Sequence, residues 1–452
     1  MSSSPLVPTT APAPAMGSNL HLEAFPPELR RMILFAMDLP TLHGLIYASP
    51  VYYRQYRNAQ VPILSSALYN SLGSSIKDAM ALKLARAPAF TATRSKEQAY
   101  DILQAYNAIR AVDDMTALSM LSVAEMEQIG GFHTRTVRHI KAHFILWTHD
   151  NAGAEFETPL STTEENRLCR ALYRYELSCQ LFGFLNIKDG RWPADRRHRE
   201  WAPLEILQHL LYKFEPWEIE EVLCVQRFAE GTYATLVEEE HQIIKERGIL
   251  DVVDDEGARF HGAFDAYNSV FTTDMVSRGL ECLYNSIYQP KGYIATVWEE
   301  LMELMAWHTQ PGLSEAVQRR VQEQRRDWGV VEDVRDQRSD DRDPLPFYGD
   351  FENGPPKAWT VIWKGSYSNM FGEYLDHHDA KLRSWGYVMW DASRLESLGV
   401  VRKLREVRGS LAKDDPRALH EGSNVVNFGS SDESDDDDDE DDGLGGYADI
   451  TW

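Results

Sequence analysis

The chain has 452 residues, 43% apolar and 11% aromatic, enough to build sizeable cores in about two to three domains. Its net charge of −24 opposes contact with phosphate backbones and anionic lipid, so nucleic acid and membrane surfaces are excluded as expected partners. Cys169, Cys179, Cys224 and Cys282 lie 10, 45 and 58 residues apart, a spacing of neither a zinc knuckle nor a disulfide framework, and they read as buried thiols in a reducing compartment.

Residues 1–20 are rich in Ser, Pro, Thr and Ala and offer too few apolar side chains to offset the entropy of ordering, so they read as a disordered N-terminal arm. They carry no charged and apolar regions of a secretion signal and no arginines of a transit peptide. No stretch approaches the roughly 18 consecutive apolar residues that span a bilayer. The expected location is cytoplasmic, nuclear or both.

From Phe25 the pattern becomes helical. Pro26 and Pro27 fix an extended start, Glu28 suits the positive end of a new helix, and Leu29, Ile33 and Met37 recur every four residues. Pro40 restarts the chain, with Leu42, Leu45 and Ile46 forming a second apolar face, and Pro50 opens a third segment containing Tyr53, Tyr56 and Arg57. Residues 21–70 thus predict a three-helix module near the lower size limit of independent stability.

Residues 71–330 predict an irregular helical body. Ser95 opens a helix with Ala99, Ile102, Leu103, Tyr106 and Ile109 at helical spacing, and Thr116 precedes an apolar-periodic run to Ile129. Ser161 and Glu164 stand in capping-box relation, followed by a stripe of Leu168, Leu172, Tyr175, Cys179 and Phe182 and a stop at Gly183. Pro216 starts a segment apolar on more than one face, which predicts a central, buried helix. Helical patterns follow over 263–288, 296–308 and 314–328, and no segment alternates with period two. The expected fold is mainly α.

Residues 331–356 read as an acidic linker or insertion, and 357–412 as an aromatic-rich segment that packs back on the body. Residues 413–452 form the tail, expected to be disordered, in which ten carboxylates fall within 432–442 and leave about −14 for the rest of the chain. Such a tail solubilises the protein or attracts a basic partner. Ser430 and Ser434 each carry an acid three residues on, the context favoured by acidophilic kinases, so both are candidate phosphorylation sites.

Phosphate-binding loops, dinucleotide fingerprints, nucleophile elbows and zincin motifs are absent, so neither an enzyme nor a cofactor is expected. His139 and His143 share a helix face, but no thiol or carboxylate sits at a companion spacing. They read better as part of an exposed basic face with Arg135, Arg138 and Lys141. Arg191, Arg196, Arg197, His198 and Arg199, interleaved with Trp192 and Trp201, read as a loop that contacts the chain's own acids.

The stretch from Phe25 to Tyr52 resembles an F-box, the module through which substrate receptors dock on the Skp-type adaptor of cullin-RING (SCF) ubiquitin ligases. Phe25, Pro26 and Glu28 match the family's opening, Ile33, Leu34 and Met37 its first-helix aliphatics, and Leu42 and Leu45 its second-helix leucines. Ala48, Ser49 and Tyr52 stand at its Val-Cys and Trp positions. Most of residues 21–410 is similar to fungal F-box-like proteins of uncharacterised function. The resemblance implies that Pro26, Ile33, Leu34, Met37, Leu42, Leu45 and Tyr52 face the adaptor while the body holds a protein client for ubiquitin transfer. The alternative expectation is a helical interaction or nuclear scaffold protein whose F-box-like segment is only structural and which acts through its acidic tail.

Overall fold

The computed structural model describes residues 22–152, 159–183, 201–247, 271–303, 313–317, 347–362 and 379–406. All of these belong to one unit, Met1–Arg408. Among them every regular element is helical and none is a strand, so the chain is mainly α as its pattern predicts.

The N-terminal module starts with α1 (Pro27–Ala36), α2 (Leu39–Ala48) and α3 (Pro50–Asn58), each with a proline in its first turn, where a missing amide donor costs nothing. Asp38 caps α2 by accepting from Thr41 N at 3.0 Å, and Ser49 caps α3 by accepting from Tyr52 N at 3.3 Å. A fourth helix, α4 (Gln60–Leu72), packs across α1 and α2. Its Ser66 and Asn70 donate to Phe35 O at 2.8 and 2.9 Å, and Asn70 also to Met37 O at 3.0 Å. The carbonyls left over at the end of α1 are therefore satisfied by a neighbouring helix.

The body continues with α5 (Ile76–Ala85), α6 (Pro88–Thr93), α7 (Lys96–Ala111), α8 (Asp114–Ser119) and α9 (Val123–Phe132). The single run expected from Thr116 to Ile129 is thus two helices. Asp113 caps α8, and a Ser122–Glu125 capping box restarts the chain as α9. The module rests on this helix through α4, and a Cβ on Gly130 would lie 3.3 Å from Leu39, so glycine is what permits the close approach of α9 and α2. A π-helical turn, His133–Val137, then joins α9 to α10 (Arg138–Ala152).

Two long helices form the centre. Helix α11 (Thr162–Phe182) begins at the predicted Ser161–Glu164 capping box and ends at Gly183, and all five residues of its predicted stripe are buried. After α12 (Pro203–His209), α13 (Pro216–Glu246) runs for 31 residues and is buried over most of its first half, as expected. Helix α11 packs against both α5 and α13.

Residues 271–277 are helical, but the chain breaks at Gly279, with φ of +83°, before α14 (Leu280–Tyr288). The helix expected over 263–288 is therefore interrupted. Helices α15 (Tyr293–Glu303), α16 (Leu313–Ala316), α17 (Lys357–Ile362), α18 (Asp379–Ser384) and α19 (Ala392–Ser397) follow. Trp359, Tyr387 and Trp390 are buried, and Trp359 meets Trp217 of α13 edge to face at 5.5 Å between ring centroids. Cys169, Cys179 and Cys224 are free and buried; Cys282 is free and half-buried. No helix among the described residues is long and apolar enough to cross a membrane.

Candidate functional site

The seven residues predicted to face an adaptor separate into two groups. Leu34, Leu42 and Tyr52 have no exposed surface, so they hold the module together instead of presenting themselves to a partner. Tyr52 is anchored at both ends: its amide completes the α3 cap and its hydroxyl donates to Leu22 O at 3.1 Å. Burial raises its phenol above the usual range. Ile33, Met37 and Leu45 are half-buried and Pro26, the residue before α1, is exposed. Of the stripe read at four-residue spacing, Leu29 is exposed and Ile33 and Met37 are half-buried, and the buried residue of α1 is Leu34.

The outward face carries other residues. Leu29 and Met32, three apart on α1, are exposed, as are Tyr47 on α2 and Tyr53 on α3. Met32 is 66% exposed and Tyr47 87%, values unusual for side chains of this size. The apolar periodicity alone does not separate these residues from the core, because a helix of this length with apolar residues on two faces supports either orientation. The proline starts and the α4 contacts decide which face is covered.

A second, deeper constellation was not foreseen. On α11, Arg167, Arg170 and Arg174 recur at helical spacing, and on α13 Glu218 and Glu221 do the same. Arg170 bonds Glu221 at 2.9 and 2.6 Å and lies 3.3 Å from Glu218. Arg174 reaches Glu218 at 3.1 Å and Asp78 of α5 at 3.2 Å, and Tyr106 of α7 donates to the same Asp78. Arg167 meets Asp391 at 2.8 Å. On other faces, Glu220 takes two bonds from Arg383, and Glu164 two from Arg394.

The two carboxyls facing Arg170 have perturbed titration. Burial raises the Glu218 carboxyl, but Arg174 and Arg170 outweigh it and hold the group at about 2. At Glu221 burial wins over Arg170 and the carboxyl stays raised. Displaced carboxylates often mark catalytic sites, yet Arg170, Arg174, Glu218 and Glu221 are each less than a tenth exposed and face one another. The arrangement is a clamp between α5, α11 and α13. Its sequence signal was the arginine spacing, hidden by the apolar stripe on the same helix.

His139 and His143, the metal-like pair, lie against tyrosines. His143 Nε2 is 2.8 Å from the Tyr288 hydroxyl, and the His139 ring lies 5.6 Å from Tyr284 and 5.9 Å from Tyr288. Among the described residues no group of three or more His, Cys, Asp or Glu is placed to hold a metal ion. The arginine cluster at 191–199 lies outside the described residues, as do Ser430 and Ser434; Trp201, next to that cluster, is buried against Phe182 and Tyr100. Comparison with protein-family models, curated proteins and solved structures returns no match for this chain.

Proposed function

We propose that residues 22–72 form an F-box-like docking module for a Skp-type adaptor of an SCF ubiquitin ligase, that the helical body holds a protein client, and that the chain itself carries out no chemistry. The observation that carries this reading is the distribution of exposed apolar side chains. Of the thirteen large ones exposed among the described residues, seven lie between Leu22 and Tyr69. Exposed apolar surface concentrated on one small module is characteristic of a protein interface.

Charge supports the same reading. Residues 22–72 hold four arginines, Arg30, Arg31, Arg54 and Arg57, against three carboxylates, Glu23, Glu28 and Asp38, in a chain of net charge −24. A locally positive surface on an acidic protein steers association toward an acidic partner. In this reading the contact is made by Leu29, Met32, Tyr47 and Tyr53 together with Pro26, Ile33, Met37 and Leu45, and the buried Leu34, Leu42 and Tyr52 act by holding the helices in place.

That burial of Leu34, Leu42 and Tyr52 also favours a second reading, in which the helices only cap the body and the protein is a helical scaffold. Co-purification of the full chain with a Skp-type adaptor separates the two. The docking reading expects a stoichiometric complex that Met32→Asp and Tyr47→Asp abolish without lowering the melting temperature. Absence of a complex with the unaltered chain, or a complex indifferent to both substitutions, overturns it.

A further inference from the structure

Between α5, α9 with its π-helical turn, and α14 runs a cleft of about 1070 Å³. Nothing in the adaptor reading uses it, and it shares no residue with the exposed row on α1 to α3. Its apolar part is formed by Leu82, Ile129, Phe132 and the ring of Tyr173.

Most of its charges are already matched. Lys83 pairs with Glu125, and Arg86 is shared between Glu176 at 3.1 Å and Glu281 at 2.7 Å while its guanidinium lies 4.4 Å over the Phe132 ring. Arg135 differs. Its Nε donates to Gly131 O at 3.2 Å, and it pairs with no carboxylate among the described residues, so it is a cation of the cleft wall that no acid neutralises directly, while Arg86 between two carboxylates keeps the overall charge of the cleft balanced. Gln128 and Asn285 also line it, and their side-chain amides make no hydrogen bond within the described residues.

The backbone at this point is irregular. Arg135 stands in the middle of the π-helical turn His133–Val137, and Thr134, Arg135 and Thr136 all border the cleft. Single π-helical turns within α-helices are rare and occur frequently at functional sites.

We propose that this cleft binds an extended peptide segment bearing an anionic side chain. Arg135 holds the carboxylate or phosphate, Gln128 and Asn285 pair with peptide backbone amides, and the wall of Phe132 and Tyr284 receives a neighbouring apolar side chain. The volume suits a peptide, since it lies just above the roughly 300–1,000 Å³ typical of small-ligand pockets. Side-chain amides are the groups that match peptide N–H and C=O together, and Arg is suited to forked recognition of either anion.

The test uses the full chain and an array of short synthetic peptides carrying a central Glu, phosphoserine or Gln in otherwise identical sequences, with the best binders titrated by fluorescence anisotropy. The expected result is that Glu or phosphoserine peptides bind about tenfold or more tightly than their Gln counterparts. Arg135→Gln should erase that preference, while Arg138→Gln, which removes the same charge from an exposed residue outside the cleft lining, should retain it. Whichever anion binds better identifies the source. The proposal is overturned if no peptide binds, if the Gln peptides bind equally, or if both variants weaken binding to the same degree. Because Arg135 is exposed, unchanged melting of its variant is the accompanying control.

Discussion

Arg170 and Glu221 form a two-bond pair, Nε to Oε2 at 2.9 Å and Nη2 to Oε1 at 2.6 Å, with the arginine side chain 4% exposed and the carboxylate not at all. Two charges removed from water repay their desolvation only when paired, so removing one partner is far more damaging than removing both. Arg170→Met alone is expected to destabilise the fold by about 3–5 kcal/mol, and Arg170→Met combined with Glu221→Leu to recover most of that loss. Denaturant unfolding of both variants checks it; additive losses in the double variant would count against the clamp.

His133 predicts a pH dependence. It is buried beside Tyr173, with its Nδ1 3.2 Å from the Tyr173 hydroxyl, and burial, aided by Lys141 and Arg138, lowers its pKa to about 4. A depressed folded-state value means the unfolded chain binds the proton first, so stability is greatest above the ordinary histidine pKa and falls as pH drops toward the folded value. Between pH 7 and pH 5 the chain should lose about 2 kcal/mol more than its His133→Gln variant. Equal losses would remove His133 as the cause.

Gly279 adopts φ of +83°, and a Cβ there would lie 2.3 Å from Glu176 Oε2. The same carboxylate accepts from Leu280 N at 2.5 Å and so fastens the start of α14 to α11. Gly279→Ala should cost about 2–3 kcal/mol by combining backbone strain with displacement of Glu176. A melting temperature within a degree of the unaltered chain would contradict this.

The two faces of the N-terminal module should respond oppositely. Leu42→Ala empties a fully buried site and is expected to cost about 2–5 kcal/mol, whereas Met32→Ala, at an exposed site, should change stability by less than about 0.5 kcal/mol. Thermal and denaturant unfolding of the two variants side by side checks the assignment of faces. A destabilising Met32→Ala would place that residue in a contact this structure does not contain.

What the sequence determined by itself was local. Proline starts at Pro27, Pro40, Pro50 and Pro216, the Ser161–Glu164 box and the stop at Gly183 act within a few residues of themselves, and each stands where its chemistry predicts. The mainly α class follows from the same signals. Where local rules compete, the reading failed: Asp113 and Ser122 are both good caps, and only the paired bonds at Ser122 and Glu125 split the run from Thr116 into two helices.

Tertiary structure decided which face of each helix is inside. Leu34 and Leu42 are as apolar as Leu29 and Met32, and burial was assigned by α4 lying over one side. It likewise decided that Arg170 and Arg174, which any hydropathy pattern sends to the surface, lie in the centre, because their partners Glu221, Glu218 and Asp78 are 51, 44 and 96 residues away and meet them only when α5, α11 and α13 pack. An apolar stripe specifies burial one helix at a time. A buried charge requires its counter-charge to arrive from another helix, and that is a property of the assembled fold alone.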